Sequence, residues 1–176
     1  MDLFETLYRR KSVRHYTGKG PTDEQLEIIL KAAYASPVVS GRFADMHVTV
    51  IKRKEILEAI EENASKATGV RSHPLYGAPV LILVSVHPKE ETPSNSEYSS
   101  AAMVVHNMAL AATALGLGSC DIWGSLRLAN ERDQLVKMYE LPQGFVACCG
   151  VIIGETDEDF PVRDIPEEKI KTKILE

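Results

Sequence analysis

Cysteine is scarce in this chain, which has only three: Cys120, Cys148 and Cys149. So small and odd a number, with no CxxC spacing, excludes a disulfide framework and a thioredoxin-like dithiol motif. The adjacent pair is predicted to point to opposite faces of a strand. We therefore interpret the thiols as small buried apolar side chains in a reducing compartment, which favours a cytoplasmic protein.

Three other features that would point to a particular class of protein are absent. No GxGxxG sequence follows any predicted strand, which excludes the common dinucleotide-binding fold. The five histidines lack the HxxxH spacing of a zinc site, so we predict no metal. The net charge of -5 argues against nucleic acid and anionic membranes as partners.

No segment is predicted to direct the chain to or across a membrane. The stretch from Met1 to Arg14 has two acidic residues and no apolar centre, unlike a secretory signal. The strongly apolar stretch Ala101–Gly118 carries His106 and Asn107 at its middle, and much of the rest is alanine. We interpret it as part of a buried central helix in a soluble protein.

What the sequence does contain is an interleaved series of helical and strand patterns. Helices are predicted over Leu3–Arg10, over a segment that begins with a Thr22–Gln25 capping box, and over Glu55–Lys66, Ser96–Leu115 and Asn130–Tyr139. Strands are predicted over His47–Ile51, Pro79–Val86 and Phe145–Ile153, the last two apolar enough to be covered on both faces. This order predicts a single domain, residues 1–176, of the α+β class with three layers, α/β/α.

Two regions have apolar surface that one small chain does not usually cover. The central helix Ser96–Leu115 is apolar nearly all round, and residues 155–176 form a charged, extended tail with widely spaced apolar residues. We therefore predict a homodimer, with the helix in the shared core and the tail packed on the partner subunit.

A cluster of cations follows the first helix. Arg9, Arg10, Lys11 and Arg14 place four positive charges within six residues of an acidic protein, with Ser12 among them. Arginine offers a planar fork of donors that matches a phosphate group, and serine adds a hydroxyl. The pattern has two interpretations: a site for a dianionic phosphate, or a solvated helix end whose cations interact with the helix dipole.

Two glycine-containing segments are further candidates for a binding site. Ser36–Gly41 (SPVVSG) separates a helix from a strand, and such a loop can lie flat against a planar ligand. Leu115–Gly124 (LGLGSCDIWG) holds the only tryptophan, together with glycines that permit close backbone approach. Taken alone, the first is equally a connecting loop, and the second is equally part of the core.

Together, these segments resemble the nitroreductase family of FMN-dependent oxidoreductases. The matching motifs occur in the family's order along nearly the whole chain. They are the basic-Ser-x-basic motif Arg10–Arg14 followed by Tyr16, the Ser36-Pro37 loop, the Ala78-Pro79 start of an apolar strand, the long helix His106–Ser119 ending in LGLGS, the Pro142-Gln143-Gly144 turn and Arg163. The resemblance implies a mixed central sheet flanked by helices, in a dimer.

The resemblance also implies a set of residues that bind FMN. These are Arg10, Lys11, Ser12, Arg14, Ser36, Pro37, Val38, Val39, Ser40, Ile122, Trp123, Gly124 and Arg163. Arg10 and Arg163 would hold the phosphate, and Ser12 would bond the ribityl or pyrimidine side. Arg14 would lie near the flavin N1 and O2 atoms, as electrostatic support for the reduced flavin. The loop Ser36–Ser40 would come from the other subunit and pack against the isoalloxazine, while the backbone of Ile122–Gly124 would cover one flavin face near N5.

The activity implied by the resemblance is hydride transfer from NADH or NADPH, through flavin N5, to a nitroaromatic, quinone or similar small organic acceptor. The mechanism would be ping-pong, and no catalytic side chain is expected because the flavin carries the chemistry. The alternatives are an FMN-binding regulatory or storage module that turns over slowly, and another flavin reaction such as reductive dehalogenation or flavin fragmentation.

One departure concerns the flavin edge. Family members often carry an Asn and then Gln-Pro-Trp after the Ser-Pro loop, where this chain has Gly41–Asp45 (GRFAD). The resemblance therefore does not supply the polar contacts on that side. Arg71 and His73, which precede the Ala-Pro strand, are further candidates for residues near the flavin.

Overall fold

The computed structural model describes residues 2–175, so Met1 and Glu176, at the ends of the predicted domain and tail, lie outside the described residues. The helices are α1 (Leu3–Arg9), α2 (Asp23–Tyr34), α3 (Lys54–Thr68), α4 (Asn95–Ala114), α5 (Gly124–Ala129) and α6 (Asp133–Met138). The strands are β1 (Met46–Ile51), β2 (Val80–Val86), β3 (Gly118–Ile122) and β4 (Val146–Gly154). Two short 3-10 turns, Val39–Gly41 and Phe43–Asp45, precede β1. None of the helices within residues 2–175 is long and apolar enough to cross a membrane.

The strands form one four-stranded sheet in the order β1-β2-β4-β3. Every pairing is antiparallel, with Val50 opposite Ile82 between β1 and β2, and Leu81 opposite Ile152 between β2 and β4. The expected mixed sheet is therefore wrong for the described strands. The central strands β2 and β4 are apolar because helices cover both faces of the sheet, and such coverage does not require parallel neighbours.

Helices pack on both faces of this sheet. Met108 of α4 and Ile82 of β2 belong to the core between the sheet and helices α2 and α4. Ile60 of α3, Leu126 of α5 and Leu83 of β2 belong to the core on the opposite face. This arrangement confirms the predicted three-layer α/β/α architecture.

Capping boxes begin two of the longer helices. Thr22 and Gln25 form the predicted box at the start of α2, each side chain bonding the other residue's backbone. Ser94 and Glu97 form a second box, which was not predicted, at the start of α4. These local bonds satisfy amide groups that have no partner within the helix itself.

The region between α4 and β4 differs most from expectation. Residues 118–122 form β3, although glycine and aspartate there disfavour a strand. The helix expected over Asn130–Tyr139 is present but shorter, as α6, and a separate helix that was not predicted, α5, ends just before this region. Arg132 separates them with an extended backbone (φ -126°, ψ 94°) that interrupts the helical path.

A β-bulge in β4 changes the placement of the adjacent cysteines. The register with β2 shifts between Val84 and Ser85, which pair with Cys149 and Ala147 respectively. Cys148 is the extra residue, so both cysteines pack in the core beneath α2 and α4. The prediction that they face opposite sides is wrong. All three cysteines of the chain are free and buried, as interpreted from the sequence, and burial raises the pKa of Cys148 and Cys149 to about 12.

Candidate functional site

The basic segment, residues 10–14, runs along the outer edge of the sheet beside β3. The Val13 amide donates to the Ser119 carbonyl at 2.9 Å, and the Tyr16 hydroxyl donates to the Val13 carbonyl at 3.1 Å. Val13 is fully buried, while Arg10 and Ser12 are partly exposed. The backbone of the basic segment is therefore fixed to the sheet, and its polar side chains remain accessible.

Gly118, the first residue of β3, makes this close approach possible. A Cβ atom built there would lie 2.9 Å from Val13 Cγ1 and 3.1 Å from both Thr156 Cγ2 and Tyr16 Cε1. Any larger residue would push the basic segment away from β3. The second glycine of the LGLGS motif thus has a steric role in docking this segment.

The cations of the cluster fall into two groups. Arg9 pairs with Glu5 at 2.9 Å, and Lys11 pairs with Glu158 at 2.8 Å, so both are engaged within the chain. Lys11 therefore anchors the C-terminal segment, which leaves its ammonium less available to a cofactor than the resemblance implies. Arg10, at the C-terminal end of α1, forms no ion pair with a residue in the range 2–175. Its guanidinium is the donor group of the cluster that best fits an added anion.

Ser12 and Arg14 lie near Cys120 of β3. Burial raises the pKa of the Cys120 thiol, while the Ser12 hydroxyl and the Arg14 charge oppose that shift. Arg14 is exposed, and its guanidinium lies 5.8 Å from the centre of the Tyr76 ring. Stacking on this ring holds a cation at the outer edge of the site.

The C-terminal residues 155–163 fold back along the N-terminal part of the same chain. The Thr17 amide donates to the Glu155 carbonyl at 3.0 Å, and the Thr156 hydroxyl donates to the His15 carbonyl at 2.8 Å. This corrects the expectation that residues 155–176 lie wholly on a partner subunit. Residues 164–175 are exposed, and for them packing on a partner stays a prediction.

Arg163 reaches the same end of α1 as Arg10. Its Nε donates to the Tyr8 carbonyl at 2.8 Å, and its Nη2 donates to the Leu7 carbonyl at 3.1 Å. These bonds satisfy carbonyl groups that the end of a helix leaves without partners. Among its guanidinium nitrogens, Nη1 has no partner in the described part of the chain, so Nη1 is the nitrogen most available for a phosphate role of Arg163.

The turn Ile122–Gly124 joins the last residue of β3 to the first residue of α5. Ile122 is buried, whereas Trp123 is 57% exposed. No heavy atom lies within 4 Å of a Cβ built on Gly124, so the backbone there faces open space. A planar ligand can therefore approach this backbone closely, as the predicted contact with a flavin face requires.

A cavity of about 470 Å³ lies between this turn and α4. Tyr98 and Ala102 of α4 line one side, and Asp121, Ile122 and Trp123 line the other. Its volume lies within the range of small-molecule sites. Nothing in the sequence singles out Asp121, because one aspartate in a strand has no distinguishing pattern.

The Ser-Pro loop, Ser36–Ser40, packs against α4 through its own polar groups. Ser36 is 2% exposed, and its hydroxyl accepts from Asn107 Nδ2 at 2.8 Å and donates to the Ala32 carbonyl at 3.2 Å. The Val39 amide is likewise bonded to a side chain of α4, at 3.0 Å. The Ser36 side chain is therefore not available to a ligand, whereas Pro37 and Ser40 are exposed.

The position of this loop matters for the site. The loop precedes β1, and β1 and β3 are the two outer strands of the sheet. Within one chain, the structure therefore brings the basic segment and the turn Ile122–Gly124 together, but not the loop. The predicted contribution of residues 36–40 needs a second chain.

Arg42 occupies the stretch in which this chain departs from the resemblance. Its guanidinium pairs with Asp45 and with Glu97 of α4, the latter at 3.3 Å. Hydrogen bonds from Ser94 lower the pKa of the buried Glu97 carboxyl, and Arg42 adds to this shift. The network fixes the residues after the Ser-Pro loop to α4.

Arg71 and His73 are bound to each other and to α3. Arg71 Nε donates to His73 Nε2 at 3.2 Å, and His73 Nδ1 lies 3.0 Å from Glu61 Oε2. The same carboxylate accepts from the Leu75 amide at 3.3 Å. These bonds orient the loop before β2, and a role for either side chain at a flavin stays a prediction.

Fold and site together define a three-layer α+β protein with a cationic, glycine-bordered site at the β3 edge of its sheet. The family model described as "Nitroreductase family" matches residues 7–155 of this chain. The chain belongs to the nitroreductase family, as the motifs in its sequence indicated.

Similar proteins match nearly the whole chain. A Methanothermobacter thermautotrophicus protein named "Putative NADH dehydrogenase/NAD(P)H nitroreductase" is 27% identical over 167 residues, which are 94% of this chain and 83% of that protein. The structure of a nitroreductase with bound FMN from Desulfitobacterium hafniense matches with a TM-score of 0.83 at 24% identity, covering 99% of this chain and 100% of that chain. A nitroreductase with bound FMN from Bacteroides fragilis matches with a TM-score of 0.81 at 24% identity over 100% of both chains. These matches confirm the predicted nitroreductase-like fold.

Proposed function

We propose that this chain is an FMN-dependent oxidoreductase that passes reducing equivalents from NADH or NADPH to a small organic acceptor such as a nitroaromatic or a quinone. Membership of the nitroreductase family supports this, as does the name of the archaeal relative. The bound FMN in two full-length fold matches supports the choice of cofactor. When bound, FMN supplies the hydride chemistry at its N5 atom in a ping-pong cycle.

One observation carries the proposal. Arg10, without an ion-pair partner in the described part of the chain, lies on the segment that the Val13–Ser119 bond fixes beside β3. The same strand ends in the open turn Ile122–Gly124. An anion-binding group and a flat, accessible backbone thus lie along one edge of the sheet. FMN has both complementary parts, a phosphate dianion and a planar ring, so the residues present fit this cofactor.

Each residue of the set has its own task in this proposal. Arg10 binds the phosphate through charge-assisted hydrogen bonds, with Nη1 of Arg163 as a second donor. Ser12 bonds the polar chain or ring edge of the cofactor. Arg14 places a positive charge beside the flavin N1 and O2 atoms, where it stabilises the anionic reduced form. The backbone of Ile122–Gly124 covers one face of the ring and excludes water from it.

We also propose that the protein acts as a homodimer, in which the Ser36–Ser40 loop of one chain completes the site of the other. Exposed apolar side chains on α1, on α4 and in the C-terminal residues support this proposal, because a partner would cover them. They include Leu3, Phe4, Tyr8, Met103, Ile165, Ile170, Ile174 and Leu175. Sedimentation of the flavin-loaded protein as a monomer would contradict this assembly.

The absorption spectrum of the purified protein tests the cofactor. We expect bound oxidised flavin, and chromatography of the heat-released cofactor should identify FMN rather than FAD. A colourless protein that takes up no added FMN would overturn the proposal. Turnover of NADH or NADPH with a quinone or nitroaromatic then distinguishes an enzyme from a storage module, which would bind FMN without appreciable turnover.

A further inference from the structure

The cavity between α4 and the end of β3 has one acidic side chain in its wall. Asp121 lines it beside Ile122 and Trp123, with Tyr98 and Ala102 opposite. The Asp121 side chain is accessible from this cavity, yet neighbouring protein atoms remove enough water to raise the pKa of its carboxyl. Asp121 is thus a carboxyl group at the edge of the proposed flavin face, with no task in the proposed function.

Ionisable groups from three elements face Asp121. Burial raises its pKa, while the charges of His106 on α4 and Arg10 at the end of α1 act in the opposite direction. On β4, the Asp121 charge contributes to the raised pKa of Cys149. No ion pair within 4.0 Å joins Asp121 to a cation in the described range, so its carboxyl is not held as a carboxylate by direct pairing.

We propose that Asp121 donates the proton that an organic acceptor needs when it is reduced in this cavity. The inference rests on the proposed function, and it extends that function to a protein side chain. The geometry points to Asp121 because it directly precedes Ile122–Gly124, the backbone proposed to cover the flavin near N5. It is also the carboxylic acid among the residues that line the cavity.

The atoms and electrons of the step balance. A quinone would receive a hydride, with both electrons, from the reduced flavin, whose N5–H bond would break as the flavin is oxidised, and one proton from the Asp121 carboxyl. One O–H bond of the carboxyl breaks and leaves a carboxylate, while a new O–H bond forms on the hydroquinone product. The accessible Asp121 carboxylate then recovers its proton from solvent water. General acid catalysis of this kind contributes on the order of 10²-fold or more to a rate.

Asp121→Asn separates this role from a structural one when two acceptors are compared. Reduction of a quinone needs a proton, whereas ferricyanide takes single electrons and no proton. We expect the variant to slow reoxidation of the reduced protein by quinone on the order of 10²-fold. Its reoxidation by ferricyanide and its reduction by NADH should stay within about twofold. Asp121→Glu should retain most of the quinone rate, and Asp133→Asn, an exposed carboxylate on α6, should match the wild type.

A titration of the flavin-free protein gives a readout besides activity. Carbon-13 NMR of labelled aspartate carboxyls, with Asp121→Asn to assign the signal, should show a midpoint above that of an ordinary aspartate. His106→Gln should raise this midpoint further, because it removes a positive charge that favours the carboxylate.

The results of these experiments distinguish a failure of the role proposed for Asp121 from a failure of the proposed oxidoreductase function. A flavin-loaded protein in which Asp121→Asn slows both acceptors equally, or neither, overturns the role of Asp121 and leaves the proposed function in place. An Asp121 midpoint at or below the ordinary range also overturns that role. A protein that takes up no flavin overturns both proposals.

Discussion

The basic segment beside β3 and the Ser-Pro loop on α4 both carry polar residues suited to a ligand, but they use them differently. In the loop, the Ser36 hydroxyl and the Val39 amide are bonded within the chain. In the basic segment, the backbone is fixed through Val13, while Arg10 has no ion-pair partner in residues 2–175. The difference teaches that binding capacity depends on which donors the fold leaves unused. The basic segment is therefore a candidate binding site by itself. The Ser-Pro loop has few free polar groups and can contact a ligand mainly through its exposed surface.

Gly118→Val should have the largest effect on stability and FMN binding, because it displaces the basic segment and leaves the loop in place. The added side chain would enter space held by Val13, Thr156 and Tyr16, all within 3.1 Å of the new Cβ. We expect a loss of about 1–3 kcal/mol in the free energy of unfolding, measured by urea denaturation, together with weaker FMN binding. Gly124→Ala is the control for stability, because its Cβ meets no atom within 4 Å. Equal stability of the two variants would contradict the packing described at β3.

Asn107→Ala tests the loop side of the comparison. It removes the donor to the buried Ser36 hydroxyl at 2.8 Å. We expect a loss of about 1 kcal/mol in the free energy of unfolding, with a smaller effect on FMN affinity than a change at Arg10. Gln134→Ala, at an exposed amide of α6, should have little effect on either measurement. A loss of FMN affinity without a loss of stability would contradict the structural role given to the Asn107–Ser36 bond.

Arg14→Gln should change the reduced cofactor more than the oxidised one. The variant removes the cation that stacks on Tyr76. We expect the flavin reduction potential to fall by roughly 30 mV, which corresponds to a tenfold change in a two-electron equilibrium. Spectroelectrochemistry measures this potential, and Arg14→Lys should keep it near the wild-type value. An unchanged potential in Arg14→Gln would remove Arg14 from the neighbourhood of N1 and O2.

The smallest effect on the free energy of unfolding is expected from acidification, which weakens the ion pair between Lys11 and Glu158. That bond and the Arg14 amide hold the pKa of Glu158 below its ordinary value. Because the folded-state pKa is the lower one, the stabilisation is complete above the unfolded value of about 4.3 and is lost as the pH falls through the folded-state pKa. We expect Glu158→Gln to cost about 0.5 kcal/mol in the free energy of unfolding at neutral pH and nothing near pH 3. A difference that persists in acid would show that the charge is not its cause.

Local patterns in the sequence predict most of the fold. The Thr22–Gln25 box determines where α2 begins, and the uninterrupted apolar runs identify β2 and β4. β3 has no such pattern, because its stability comes from pairing with β4 and from the Val13 bond. The sequence also does not predict the break between α5 and α6 at Arg132, because no side chain around it forbids a continuous helix.

The site is predictable only in part for a similar reason. The motif spacing identifies Arg10, Ser12 and the turn Ile122–Gly124 as candidates. It does not indicate that Lys11 is paired with Glu158, because that ion pair joins residues from opposite ends of the chain. Asp121 becomes visible only once the fold places it in the wall of a cavity.

The account rests on Arg10, which has no ion-pair partner among residues 2–175 and is proposed to bind the phosphate of FMN. The most direct measurement is a titration of the flavin-free wild type, Arg10→Ala and Arg132→Ala with FMN, followed by flavin fluorescence. Arg132 is an exposed arginine of the same charge at the start of α6. The account predicts that Arg10→Ala loses about 1.5–3 kcal/mol of binding free energy, as expected for a lost charge-assisted contact, while Arg132→Ala binds like the wild type. A loss of less than about 0.5 kcal/mol in Arg10→Ala would contradict the claim and make Arg10 a solvated helix-end charge.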